Sequence, residues 1–541
     1  MRGFFVSSAL PVHLKALLTP QAYPHRVDAI ELIETHVSWV LLTGEFAYKI
    51  KRPVHYTFVD LRSAEHRAFC CAEEIRLNRR FAPDLYLQVC EITACNGEAR
   101  IGGDGTVIEH AVLMHQFRRE EELDQLLAAS QIEPSGLGGF GRDLADIHSQ
   151  LPVATSLDSW GRADTVQRKV LENFEQCAQA GAIFGHRPAL LEPLRGMVTA
   201  SLDAAAPWMG ARRQSGRVRE CHGDLHCRNV VRQGDRLVPF DCIEFDPALR
   251  WIDVADEVAF LLADLDARGR PMHANAFLQG YLTRSGDFQA CRGLTLYKFH
   301  RALVRAKVAA LDASDASHAS DIGAFELARS EHRAYVLCAM RALAPPKPLL
   351  ILMCGLSGSG KSWLASRLAP HLNAVQVRSD VERKRLGGVT EHARSGSSIE
   401  GNLYSPRMTT GVYEHLARCA ADVLEGGYTA IIDAAFLRRE QRARFLELAS
   451  RLGIDVCALR CFAPLEVLEA RVRERAGGGT DASEADLAVL KWQQAHYDPL
   501  GPEEGCAVVE VDTAQDVPIG EVLRRLAGQG ASTSARVGFR A

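Results

Sequence analysis

The stretch from Leu349 to Ser362, LLILMCGLSGSGKS, opens on a continuous apolar run and closes on Gly355-Leu356-Ser357-Gly358-Ser359-Gly360-Lys361-Ser362. An apolar run without alternation reads as a parallel strand buried on both faces. The eight residues after it satisfy GxxxxGK[ST] in full, and the helix-like WLASRLAPHL follows, the context this motif requires. Glycines there let backbone N–H groups curl around phosphate oxygens. Lys361 reaches the terminal phosphates of ATP, Ser362 offers a hydroxyl to Mg²⁺, and the helix N-terminus adds a favourable dipole. The expected fold for this part is an α/β P-loop NTPase with a parallel sheet.

Downstream, Val375–Val377 reads as a second short strand, followed by Ser379, Asp380 and Arg383 in SDVERKR. A carboxylate and a guanidinium one helical turn apart then stand where such a strand ends at the ligand crevice, and an acceptor hydroxyl can be deprotonated there. The apolar TAII ends in Asp433, the position that holds Mg²⁺ or its water in P-loop enzymes. Arg471 and Arg475, in RVRER, share a helix face and are expected to close over phosphates. Upstream, Ala344-Pro345-Pro346-Lys347-Pro348 cannot continue a helix and favours an extended linker. The expected division is a domain at 1–343, a proline-rich linker at 344–348, a P-loop domain at 349–527 and a flexible tail at 528–541.

In the first part, strand-like runs (Val37–Leu42, Ala47–Lys51, Leu85–Ile92, Val107–Phe117) precede a mainly helical stretch from about Leu123, which predicts an α+β, two-lobed fold. Within the helical part, HGDLHCRN places Asp224 five residues before Asn229, and a second carboxylate, Asp241, follows the strand-like RLVPF. That spacing suits phosphoryl transfer to a hydroxyl: Asp224 accepts the proton while Asn229 and Asp241 hold Mg²⁺ against the ATP phosphates. Lys49, in FAYKIK, is placed to contact the α- and β-phosphates, with Lys51 on the same strand face as its competitor. Glu74 on the helix expected from Ser63 to Arg80 is the ion-pair partner of that lysine, with Glu73 as the alternative. Val112–Phe117 is the expected hinge against adenine.

These motifs carry two resemblances. Residues 349–526, through GLSGSGKS, SDVERKR, AIIDAAF and RVRER, resemble the small P-loop kinases related to phage polynucleotide kinase, zeta toxins, gluconate kinases and chloramphenicol phosphotransferase. The resemblance implies that Asp380 activates the acceptor hydroxyl and that Arg383 holds the acceptor or its phosphate; the acceptor region, about 387–415, varies within that group. Residues 30–310 resemble the aminoglycoside phosphotransferase and choline kinase group, the small-molecule branch of the protein-kinase-like fold, through the HGDLHxxN loop. His222 and His226 are then loop-architecture residues and not zinc ligands. One departure is that the glycine-rich loop expected before Lys49 is reduced to Thr43-Gly44-Glu45. The order of the two modules is similar to bacterial fusion proteins described as aminoglycoside-phosphotransferase-like plus ATP-binding kinase, a name that says nothing of antibiotic modification.

The bulk composition agrees with a multidomain enzyme. At 541 residues the chain exceeds a single core, and its 47% hydrophobic and 24% charged residues match ordinary globular proteins. A net charge of −4 argues against nonspecific coating of nucleic acid. Fifteen cysteines without paired metal spacing read as reduced thiols of a cytoplasmic protein. GFFVSSAL is too short to span a membrane, so no membrane partner is expected. The reading that follows is a bifunctional phosphotransferase using ATP and Mg²⁺ on hydroxyl groups of small molecules. The alternatives are a nucleotide-sensing N-terminal domain that regulates one active kinase, or a nucleic-acid end kinase.

Overall fold

The structure, a computed structural model, describes residues 10–56, 59–95, 98–185, 192–318, 320–390, 405–478, 485–501 and 504–529. Most of GFFVSSAL, the middle of the variable acceptor region and the expected tail beyond 529 lie outside these residues. The chain divides into two compact units, Met1–Arg268 with Leu296–Met340, and Gly269–Thr295 with Arg341–Ala541. Contacts thus gather with the P-loop region a segment that lies some fifty residues before the prolines in chain order.

In the first unit, β1 (Glu31–Glu34), β2 (Ser38–Leu42), β3 (Phe46–Lys51), β4 (Tyr86–Cys95), β5 (Glu98–Ile101) and β6 (Thr106–His115) form an antiparallel sheet in the order β1-β2-β3-β6-β4-β5. The period of two along a strand sorts β3 into two faces. Tyr48 and Ile50 enter a core with Trp39, Leu41 and Ile92. Ala47 points the other way, among Val40, Ile75, Tyr86 and Val112, and Lys49 and Lys51 share that second face. Helix α1 (Ala64–Asn78) covers it, started by the Ser63 hydroxyl, which accepts from His66 N–H at 3.1 Å.

The rest of this unit is mainly helical: α2 (Pro134–Gln150), α3 (Ala163–Ala180), α4 (Glu192–Gln214) and α5 (Val254–Ala267). Short strands carry the loop motifs. β7 (Val218–Glu220) leads into HGDLHCRN, and the hairpin of β8 (Val230–Gln233) and β9 (Arg236–Pro239) delivers Asp241. β10 (Trp251–Asp253) pairs with β7 and runs into α5 through the Asp253 N-cap.

Helices α6 (Pro271–Ser285), α7 (Cys291–His318) and α8 (Ile322–Leu343) follow, and regular structure stops across 344–348. The second unit is built on β11 (Leu349–Cys354), β12 (Ala374–Arg378), β13 (Thr429–Asp433), β14 (Asp455–Phe462) and β15 (Ala507–Asp512), all parallel and in the order β12-β13-β11-β14-β15. The unbroken apolar run of β11 is explained by burial on both faces: Ile351 and Met353 pack with α9 (Lys361–Leu368), and Leu350 and Leu352 are equally buried. The remaining helices are α10 (Ser379–Leu386), α11 (Pro406–Glu425), α12 (Arg439–Leu452), α13 (Leu465–Gly478), α14 (Leu487–Ala495) and α15 (Ile519–Gln529).

β12 is an edge strand, and an open edge is a row of unpaired backbone groups. Helix α6 closes it with side-chain amides. Gln279 accepts from Gln376 N–H and donates to Gln376 C=O, both at 2.9 Å, and Asn275 donates to Ala374 C=O at 2.8 Å. Arg385, at the end of α10, donates to the carbonyls of Thr283 and Arg284 at the far end of α6. Gln279→Ala leaves both Gln376 backbone groups without this partner, a loss of about 1–3 kcal/mol. Amide hydrogen exchange at Gln376 is expected to accelerate in this variant while β11 exchanges as in the wild type; unchanged exchange at Gln376 would show that α6 does not hold the edge.

Candidate active sites

The first site begins with the two lysines that alternation puts on one face of β3. Lys49 Nζ lies 2.8 Å from Glu74 Oε1 and also binds Asp241 Oδ1. Lys51 Nζ binds Glu74 Oε2 and Glu244 Oε1. Glu74 therefore joins both lysines, and it is fully buried. Glu73 turns outward to Arg76 at 2.8 Å and Arg250 at 3.4 Å. Burial works against the Lys49 charge, but Asp241, Glu74 and Glu244 outweigh it and hold the ammonium well above the ordinary lysine value. Asp241 shows the complement: burial opposes its charge, and Lys49 still draws it below the usual carboxylate range. Its backbone is left-handed, with φ of 65°, and its N–H donates to the Tyr86 hydroxyl at 3.0 Å.

The HGDLHCRN loop is fixed from beneath by α5. Glu257 accepts from the amides of His222 (2.7 Å) and Gly223 (2.8 Å), and Asp264 accepts from Cys227 N–H at 2.7 Å. A Cβ at Gly223, where φ is +88°, would stand 2.9 Å from Leu249 O, so the turn requires glycine. His222 Nε2 meets Phe240 O at 2.8 Å and its Nδ1 accepts from Asp224 N–H, while His226 Nδ1 accepts from Arg228 N–H. Both histidines are engaged with loop backbone, as residues of loop architecture are.

Asp224 Oδ2 receives the Asn229 side-chain amide at 3.0 Å and lies 3.3 Å from His226 Nε2. His226 Nε2 also lies 3.3 Å from the Arg305 guanidinium, so this nitrogen sits between a carboxylate and a cation. Burial opposes the Asp224 charge, but His226 and then Arg305 hold the carboxyl well below its usual range. Oδ1 has no hydrogen-bond partner among the described residues. Asn229 spends its amide nitrogen on Asp224, which leaves its carbonyl oxygen, with Asp241, as an oxygen donor pair of the kind Mg²⁺ takes.

The structure places Thr43-Gly44-Glu45 in the β2–β3 turn, where Gly44 N–H donates to Gln116 Oε1 at 2.8 Å. The connection between the first two strands is Thr35-His36-Val37, which holds no glycine. His36 Nε2 lies 3.0 Å from Asp312 and its Nδ1 3.5 Å from Asp315, both on α7. The hydrogen bond to Asp312 raises the His36 pKa above 6.5, against burial and Arg52.

The second site is organised by backbone. A Cβ on Gly355 would strike Cys461 O, and one on Gly358 would come within 2.8 Å of Leu468 O. Gly360, at φ +75°, is the N-cap of α9. Lys361 Nζ donates to Leu356 O at 2.9 Å, and burial draws its pKa below the ordinary lysine value in spite of Asp433. A cavity of about 630 Å³ opens over the loop and includes Ser357, Gly358, Gly360, Lys361, Ser362, Asp380, Arg383, Asp433, Arg471 and Arg475 in its walls. Every charged residue the sequence singled out for this site, along with Ser362, is thereby brought together. Asp433 Oδ2 takes the Gln376 amide at 2.9 Å, which orients the carboxylate.

Arg471 donates to Gly358 O at 3.2 Å and to Thr513 at Oγ1 (3.0 Å) and O (2.6 Å), and Thr513 donates to Ser359 O at 3.1 Å. Arg471 thus braces the loop itself, and Arg475 reaches Ala485 O at 3.1 Å.

Sequence reading passed over Glu257, Asp264 and Arg305 in the first unit, and Gln376, Gln493 and Thr513 in the second. The acidic residues carried a signal: VADEVAFLLAD is apolar nearly all round, and carboxylates inside such a helix must find partners. Gln493, whose Oε1 accepts from Ser357 N–H at 2.8 Å, carried none.

Residues 47–294 match the Phosphotransferase enzyme family, and residues 350–500 match the AAA domain family. Uncharacterized proteins of Mycobacterium tuberculosis and Mycobacterium bovis are 29% identical over 471 residues, which cover 87% of this chain and 91% of theirs. Among solved structures, a choline/ethanolamine kinase family protein from Mesorhizobium loti is 12% identical and covers 60% of this chain and 97% of its own, with a TM-score of 0.30. A putative kinase from Chloroflexus aurantiacus is 21% identical over 34% of this chain and 99% of its own, with a TM-score of 0.28.

Because the His36 pKa is raised, its pairing with Asp312 is complete below pH 6.5 and is lost as pH rises through the raised value. After correction for intrinsic rates, amide exchange in the turn 35–37 is expected to be slower at pH 6 than at pH 9, and His36→Gln should remove that difference. Equal protection at both pH values in the wild type would show that the pair does not hold the turn.

Proposed function

We propose that this chain, a phosphotransferase-family region joined to a P-loop kinase region and an ATP-dependent phosphotransferase, transfers the γ-phosphate of MgATP at two separate sites to hydroxyl groups of small molecules. What supports a working enzyme at both sites is that each sets a carboxylate for the acceptor beside a phosphate-directed lysine and a second carboxylate suited to Mg²⁺. These are Asp224 with Lys49 and Asp241, and Asp380 with Lys361 and Asp433. At the first site the acceptor hydroxyl loses its proton to Asp224 Oδ1, and Lys49, positioned by Glu74, meets the phosphates. At the second, Asp380 is the base, Arg383 holds the acceptor, Lys361 and Arg475 answer the phosphate charge, and Ser362 and Asp433 would hold the ion. An ion held there would supply charge neutralisation to the phosphate as it is transferred. The fifteen free thiols fit a reducing compartment, and we place the chain in the cytoplasm.

A second reading is favoured by one observation: in Thr43-Gly44-Glu45, the reduced loop before Lys49, the Gly44 N–H is already committed to Gln116 Oε1 at 2.8 Å. In that reading the first unit binds nucleotide without turnover and regulates the second.

The two readings separate in a Lys361→Ala background, which removes the charge aimed at the terminal phosphates of the second site. Lys361→Ala itself, introduced into Asp241→Asn protein, is expected to weaken MgATP binding sharply by calorimetry; unchanged affinity would remove the P-loop assignment. With Lys361→Ala in place, ATP consumption is assayed against sugars, aminoglycosides, nucleosides and other hydroxylated metabolites. Asp224→Asn should lower kcat by about 10²–10⁴ with nucleotide affinity near wild type. Asp241→Asn should lose Mg²⁺-dependent affinity together with turnover. MgATP binding that needs Asp241 but supports no turnover with any acceptor would favour the sensor.

A further inference from the structure

Three side chains of the second unit that the phosphotransfer chemistry does not use converge between α10 and α11. Glu382 on α10, with His415 and Cys419 on α11, bring a carboxylate oxygen, an imidazole nitrogen and a sulfur within 4.8 Å of one another. His415 Nε2 lies 2.8 Å from Glu382 Oε2 and 3.5 Å from Cys419 Sγ. His415 and Cys419 are four residues apart, so one face of the helix presents both. Glu382 and Cys419 are buried, while the His415 side chain stays 20% exposed and opens the cluster to solvent.

Hydrogen bonding alone serves this trio poorly. Carboxylate and thiol both address the same ring nitrogen, and a nitrogen that donates its proton to Glu382 gives the thiol proton nothing to meet. A cation between the three would engage every one of them. Tetrahedral zinc, with bonds of about 2.0–2.3 Å, sets nitrogen and sulfur donors about 3.5 Å apart and nitrogen and oxygen donors about 3.3 Å apart. The thiol already stands at that spacing, and the carboxylate has to draw back by about half an ångström.

The surrounding charge allows it. A thiolate and a carboxylate together balance a divalent ion. Arg385, 3.3 Å from Glu382 Oε1 and 3.1 Å from Oε2, is the cation already on this carboxylate, and it also donates to the carbonyls of Thr283 and Arg284, so it retains partners when an ion takes Oε2. Arg418 and Asp422, of opposite sign, are the other charges acting on Cys419. The second mixed cluster among the described residues, His148, Cys221 and Glu257, is differently placed: all three side chains are buried, and both Glu257 oxygens accept loop amides.

We propose that Glu382, His415 and Cys419 form a binding site for a zinc-type divalent cation, separate from the magnesium position over the phosphate loop, that clamps α10 to α11. Magnesium, a hard ion that takes oxygen ligands, does not match this donor set. On binding, a bond forms from Sγ to the metal and the thiol proton leaves to solvent, while the imidazole binds through Nε2 and keeps its proton on Nδ1. The clamp bears on the P-loop cavity from behind, since α10 also carries Asp380 and Arg383 into its wall and α11 carries Thr409 and Tyr413.

The test uses the full chain, reduced, cleared of bound metal with a chelator and returned to excess magnesium. Cobalt(II) titration is expected to give a saturable thiolate-to-cobalt absorption band in the near ultraviolet, which zinc abolishes by displacement. Cys419→Ser should remove the band. His415→Ala and Glu382→Gln should each weaken cobalt affinity by at least about tenfold. Cys95→Ser, at an exposed cysteine, should leave band and affinity as they are. If Glu382→Gln does not fold, Cys419→Ser, a change of one atom, carries the test. Absence of a saturable band in the wild type, or a band that survives Cys419→Ser, overturns the proposal. Zinc should also slow amide exchange along α10 in the wild type and leave it unchanged in Cys419→Ser; metal binding through Cys419 with α10 exchange unaffected overturns the clamp.

Discussion

Two ammonium groups and three carboxylates share one small volume of the first unit, and Glu74 is the residue both lysines touch. A buried cation without partners is costly, and Glu74, delivered by α1, is the carboxylate that both lysines share on this face of β3. The same helix then fixes the other side of the cleft. Asn78, one turn beyond Glu74, donates to Glu74 O and accepts from Cys242 N–H, which ties the residue after Asp241 to α1. Sheet, helix and metal-type carboxylate are thus located relative to one another by a single ionic cluster.

The second unit reaches the same end by other means. Its phosphate loop depends on backbone conformations open only to glycine and on side chains that brace it from outside, Arg471 and Thr513 on one flank and Gln493 on another. One site is organised by buried charge and the other by hydrogen bonds to backbone, so the two are expected to respond differently to salt. Ions at the protein surface screen exposed pairs, whereas a cluster as deep as Glu74 and Lys51 is screened far less.

How much could be read from the chain depended on whether the deciding physics was local. GLSGSGKS after an apolar run is local, and its strand, loop and helix stand where the sequence put them. HGDLHCRN is local too, and the contact between Asp224 and Asn229 follows from their spacing. Glu73 and Glu74 differ by about 100° around the same helix, and only packing against β3 decides which one faces Lys49. Thr43-Gly44-Glu45 stands in the β2–β3 turn, and turn chemistry alone does not say which two strands a turn joins. Gln279 and Thr513 act across about a hundred residues or more, and nothing in their neighbours announces it.

The pairing of α6 with β12 bears on how such a chain can be inherited. The prolines at 345–348 mark the obvious breakpoint for recombination, yet the strand that carries Asp380 toward the crevice is closed by a helix encoded some sixty residues earlier. A descendant that took only the sequence after the prolines would inherit a complete phosphate loop together with an open sheet edge, a template for self-association. Keeping α6 in the same reading frame as β12 is what closes that edge.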